Sequence, residues 1–157
     1  MNEDRVLLLL FHIKEQQFAL LGEQVVEVAP LATLEAIPHA PPEVAGLLHY
    51  RDRLVPVIDL SQLLRGEPCS IKMSTRLILV HYPEEGESSH VLGLMAERVT
   101  ETITKQHNEA LDPAFHPHGA PYLGELYEDE TGLVRRIRVA DVLTEELRNR
   151  LFQEQHP

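Results

Sequence analysis

Nine histidines, one cysteine and an arginine set between two apolar runs are the residues through which this 157-residue chain could do chemistry. The densest histidine set is His107, His116 and His118. A zinc ion wants three or four such ligands, held rigid by the elements and the outer partners around them. These three fall in a stretch, residues 104–121, rich in His, Pro, Gly and Asn, which reads as a long loop and preorganises nothing. A small β-barrel metal- or ligand-binding protein built on that set stands as the alternative reading of the chain. Cys69 lies between Pro68 and Ser70, with His81 and His90 as conceivable bases. No glycine-rich elbow marks a nucleophile, so it reads as an ordinary small residue. Gly46, Gly66 and Gly93 are scattered and form no phosphate loop. Glu84, Glu85, Glu87, Glu128 and Glu130 fall in turns, where charge is solvated. No catalytic, cofactor-binding or metal residue is assigned, and the chain is expected not to be an enzyme.

Arg51 is different in kind. Residues 45–64 hold Leu47-Leu48 and the run 54–58, separated by His49-Tyr50-Arg51-Asp52-Arg53, which predicts a strand, a charged turn and a return strand. A guanidinium in an apolar surround can offer a planar donor fork to a partner's carboxylate or carbonyls. Equally, Arg51 could pair within the chain, with Glu27 or Asp52. Pro56 cannot donate to a ladder, which predicts that the return strand is an edge or is kinked there. Asp59 is placed to cap the turn over residues 60–64, by accepting from the amide of Ser61 or Gln62, and Gly66 to stop it.

The elements that position these residues are mostly short strands. Residues 6–13 are continuously apolar and predict a strand buried on both faces, with residues 17–21 as hairpin partner across Lys14-Glu15-Gln16. Residues 24–28 fit a helical turn or a bent strand, because Val25, Val26 and Val28 are β-branched. Residues 30–42 carry four of the eleven prolines and exclude a central strand. Residues 31–37 read as a short edge strand, and 41–46 as one helical or 3₁₀ turn ended by Gly46. Strands follow over 75–82, 90–96 and 98–103, then a hairpin of 122–127 with 133–139. The basic set Arg135, Arg136 and Arg138 reads as a solvated face. Thr144 caps a C-terminal helix whose Leu143, Leu147 and Leu151 form a docking stripe. About nine or ten short strands at roughly ten-residue spacing make a sandwich or barrel pair and leave no room for the crossover helices of a parallel sheet.

Composition narrows the function classes. Fourteen basic against twenty-five acidic residues leave a net charge of −11, which repels nucleic acid and anionic lipid alike. Aromatics at 5% supply few stacking platforms for bases. The single cysteine excludes an internal disulfide and fits a reducing compartment. The opening apolar run is too short for a leader or a membrane span and follows two acids. The expectation is a cytoplasmic protein with no nucleic-acid partner and no direct membrane insertion.

The turn and strand His49-Tyr50-Arg51-Asp52 followed by Val55-Pro56-Val57-Ile58-Asp59-Leu60 resemble the signature of CheW-like domains, the adaptors of bacterial chemosensory arrays. That family's turn reads Asn-Leu-Arg-Gly. The resemblance extends to the opening hairpin with its FALLGEQVVEV and to HVLGLMA, and so covers nearly the whole chain. It implies an all-β fold of two interleaved SH3-like five-stranded barrels with short helical turns and a C-terminal helix, one domain over residues 1–157. It implies a chemosensory signal-transduction adaptor that binds the regulatory domain of a CheA-type histidine kinase and the cytoplasmic tip of a methyl-accepting chemoreceptor, recruited to arrays at the inner membrane. It also implies a protein-binding role for Arg51, and for Val25, Glu27 and Val28 on the receptor side of the groove between the barrels. Asp52 in place of the turn glycine, and Ala96 in place of an aspartate, mark a divergent member, of the kind a Wsp-type surface-sensing pathway would use.

Overall fold

The structure, a computed structural model, describes residues 5–82, 90–111 and 120–153. Ten strands among them form two five-stranded sheets. Strands β1 (Arg5–Ile13), β2 (Gln16–Leu21), β8 (Arg98–Gln106), β9 (Leu123–Asp129) and β10 (Gly132–Ile137) run in the order β8-β1-β2-β10-β9. Strands β3 (Val25–Pro30), β4 (Val44–Tyr50), β5 (Arg53–Asp59), β6 (Arg76–Tyr82) and β7 (His90–Ala96) run in the order β3-β6-β7-β5-β4. Each sheet has a single parallel pair, β2 with β10 and β5 with β7, in the corresponding place. The second sheet is one continuous piece of chain inserted between β2 and β8, so the two sheets are interleaved in sequence. This is the all-β architecture expected.

Both sheets bury one face against a shared core. Phe11, Ile13, Phe18 and Leu20 of the first sheet pack with Ile58, Ile78, Val80, Leu92 and Leu94 of the second. Helix α2 (Glu145–Gln153) closes it with Leu147, Leu151 and Phe152. The Thr144 hydroxyl accepts from the Leu147 amide at 3.1 Å, the expected cap. Two smaller clusters, around Val55, Val57 and Leu77 and around Leu8, Leu10 and Tyr127, fill the sheets individually. Helix α1 (Leu60–Arg65) starts where the Asp59 carboxylate accepts from the Gln62 amide and ends on left-handed Gly66, as its sequence requires.

Several sequence expectations are corrected. Strand β1 is buried on both faces over residues 8–13, with Leu8 and Leu10 in the first sheet's own cluster and Phe11 and Ile13 in the shared core, but not at its start, where Leu7 is 51% exposed. Residues 31–37 make no strand; a single bridge joins Glu35 to Leu47, since flanking prolines prevent a longer ladder. Gly46 does not end a helical turn. It lies inside β4 at φ 146°, where any Cβ would sit 2.6 Å from the Glu35 carbonyl oxygen, so glycine permits this bridge. Strand β5 is interior despite Pro56, because its pairing with β7 begins only at Val57. Residues 104–106 continue β8, which runs as far as its partner β1 does, to the pair Arg5 with Gln106, and a 3₁₀ turn follows. The arginines of β10 are not a solvated face: Arg136 and Glu125 meet at 2.9 Å with both side chains mostly covered, and Arg135 donates to the Gly124 carbonyl. Burial opposes the Glu125 charge, but its own amide and Arg136 hold that carboxyl below its ordinary range.

Candidate protein-binding site

Strands β4 and β5 are joined through Arg51 and Asp52, with Tyr50 opposite Arg53. Both turn residues have positive φ, 46° and 65°. A two-residue hairpin turn of this hand matches the twist of its strands but normally takes Asn-Gly. Arginine in the left-handed region costs about 1–2 kcal/mol, and the flanking strand pairs over-determine it. Such strain in a surface turn points to a role for the side chain rather than for the backbone.

The guanidinium is 76% exposed and held from below. Its carbon lies 5.2 Å from the centroid of the Tyr50 ring, and its Nη2 is 3.4 Å from Glu27 Oε1. The Tyr50 hydroxyl donates to the same Glu27 oxygen at 2.7 Å, a bond that pushes the phenol above its usual range. Glu27 belongs to β3 and Tyr50 to β4, the two opposite edges of their sheet. The Glu27–Tyr50–Arg51 contact therefore draws that sheet's edges together. One oxygen of one carboxylate serves both functions: it bridges the barrel's edges and orients the exposed arginine.

Of the residues singled out from sequence, Arg51 and Glu27 come together and the other two do not join them. Val28, the next residue of a strand and so on the opposite face, is 38% exposed. Val25 packs partly buried against the shared core. Sequence reasoning missed Tyr50, whose place beside Arg51 in a hairpin was the available signal. It also missed His49, which approaches Glu35 at 3.4 Å beside the Glu35–Leu47 bridge.

The chemistry-bearing residues do not gather elsewhere. Cys69 is buried, its amide donates to Asp59 Oδ2, and burial followed by the Asp59 and Glu97 charges pushes its thiol up to about 12. His90 stacks on Phe152 with ring centroids 4.2 Å apart. Among the described residues, no three His, Cys, Asp or Glu side chains are grouped to hold a metal. His107 lies in the 3₁₀ turn after β8, whereas His116 and His118 fall outside the described residues. No helix among the described residues is long and apolar enough to cross a membrane.

Two interleaved five-stranded β-sheets with an exposed, braced arginine at a hairpin tip define a small all-β protein with a candidate protein-binding surface. The chain belongs to the CheW-like domain family, whose model matches residues 7–146. Its fold is similar to that of the scaffolding protein TtCheW from Thermoanaerobacter tengcongensis, with a TM-score of 0.76 and 20% identity over 88% of each chain. No curated protein sequence matches it.

Proposed function

We propose that this protein is a non-enzymatic chemosensory adaptor, working as one domain over residues 1–157 with two interleaved barrel subdomains. In this reading it couples methyl-accepting receptors to a CheA-type histidine kinase. The kinase's regulatory domain docks end to end on a barrel, and the helical tip of the receptor takes the groove between the barrels. It needs no cofactor and acts in the cytoplasm, gathered into receptor arrays at the inner membrane. Arg51 and Glu27 form the polar centre of the binding surface, while Val28 offers a separate exposed apolar contact on the other face of β3 and Val25 fixes that strand.

The observation that carries this reading is the strained, braced and exposed Arg51 on a fold of the CheW-like family. Docking of this sort uses apolar patches for affinity and a few charges for orientation. Kinase control then requires receptor states to bind the assembly with different affinity. Arg51→Glu is expected to lower association with receptor tip or kinase regulatory domain about tenfold or more while leaving the melting temperature near that of the parent. Equal capture of both partners by the variant would remove Arg51 from the interface.

A further inference from the structure

Residues 31–43 cross as a strap from β3 to β4, the two edge strands of the second sheet. Its ladder with β4 is a single bridge: the Glu35 amide donates to the Leu47 carbonyl at 2.9 Å, and the Leu47 amide to the Glu35 carbonyl at 2.8 Å. A second tie, from the Asp59 amide to the Glu43 carbonyl at 2.8 Å, fastens the strap to the end of β5. The strap therefore touches both strands of the hairpin whose tip carries Arg51. Between these ties it turns at residues 37–40, where the Ala40 amide donates to the Ile37 carbonyl and His39 has a φ of 61°. That is the left-handed region, unfavourable for a residue with a Cβ, and such a conformation persists only where its surroundings enforce it.

What enforces it comes from α2. Arg150 Nη2 donates to the Pro38 carbonyl at 3.2 Å and to the His39 carbonyl at 3.1 Å. Hydrogen bonds from a charged donor are the stronger kind. The arginine can hold the turn because its helix is itself fixed: Leu147, Leu151 and Phe152 lie in the shared core, and the Phe152 ring stacks on Tyr82 and on His90, with centroids 5.4 Å and 4.2 Å away. On the other side of the strap, His49 approaches Glu35 at 3.4 Å. Its neighbour Tyr50 donates to Glu27 and lies under the Arg51 guanidinium. A continuous line of contacts thus runs from α2 through the strap to the hairpin.

We infer that α2 is a latch on this hairpin: through Arg150 it holds the turn at Pro38 and His39, keeps the strap seated on β4, and so keeps Tyr50 and Arg51 in their braced arrangement. Arg150 is then a positioning residue for the protein-binding surface, whose assignment rests on the function proposed above. The strap is the element with two arrangements, seated and released. A single bridge fastens its middle to β4, and local opening begins where few bonds hold.

The test compares amide hydrogen exchange in the full chain with that in Arg150→Ala, in Arg150→Lys and, as a control on the same helix, in Arg148→Ala. In Arg150→Ala the Glu35 and Leu47 amides are expected to exchange about tenfold faster or more, the loss that bonds from a charged donor imply, while the amides of β6 and β7 keep the parental rates. The Tyr50 phenol, which its bond to Glu27 holds above the usual range, is expected to titrate at lower pH in that variant, read from its ring-carbon resonances. Arg150→Lys restores part of both effects, and Arg148→Ala produces neither. Parental exchange at Glu35 and Leu47 in Arg150→Ala overturns the latch. Equal acceleration in every strand overturns it too, since Arg150 would then serve global stability alone. Titration of the same proteins with a receptor-tip fragment and a kinase regulatory domain separates this inference from the reading it rests on. Faster exchange with parental affinity for both partners overturns the positioning role; a parent chain that binds neither partner overturns the adaptor reading, and exchange alone then decides the latch.

Discussion

Arg51 and Cys69 illustrate opposite uses of polar chemistry. The arginine keeps its charge in water at the cost of an unfavourable backbone angle, with Tyr50 and Glu27 limiting where it can point. An exposed ion pair of this kind adds little to stability, so its value lies in geometry. The cysteine is withdrawn from water beside two carboxylates, and only the thiolate attacks or binds metal. With the thiol pushed up to about 12 from an ordinary 9, native protein at pH 8 is expected to react with a disulfide reagent only negligibly over minutes and fully once denatured. Rapid stoichiometric labelling of the folded chain would contradict this. The sign of the stability effect follows: with the folded value above the unfolded one, the neutral thiol's contribution is complete below about pH 9 and is lost as pH climbs toward 12.

At the scale of elements, regular features were legible and exceptions were not. The hairpin around Arg51, the Asp59 cap, the Gly66 stop and the α2 stripe each follow from local rules, and each appears. Gly46 misled because its role depends on a contact made from outside its own strand, where the Glu35 carbonyl passes too close for a side chain. Pro56 misled in the same way, since an interior strand tolerates a missing donor where its neighbour's ladder has not yet begun. The arginines of β10 looked solvated because their partners, Glu125 for Arg136 and the Gly124 carbonyl for Arg135, lie on another strand. Gly46→Ala is expected to destabilise the fold by about 1–3 kcal/mol, the usual cost of a strained backbone position, and to speed proteolysis within residues 31–40. A melting curve and a limited digest check this; an unaltered variant would show that the Glu35–Leu47 bridge contributes nothing.

For the whole molecule, the sheet order could not be read from strand count, because nothing in periodicity says that one sheet is inserted within the other. The family resemblance supplied that, and the topology bears it out. The candidate site was half legible: a pairing of Arg51 with Glu27 was one of the readings of the sequence, and only the folded chain shows that Tyr50 joins Arg51 on the same Glu27 oxygen. Interleaving also has a physical consequence. With the core shared between sheets, neither sheet can open without exposing apolar side chains of the other. On the function proposed above, this chain holds a receptor tip and a kinase regulatory domain at once. Analytical ultracentrifugation of the full chain with a receptor-tip fragment and a kinase regulatory domain tests it most directly. A ternary complex, formed with neither partner displacing the other, is the expected result; mutually exclusive binding, or binding of one partner alone, would contradict it.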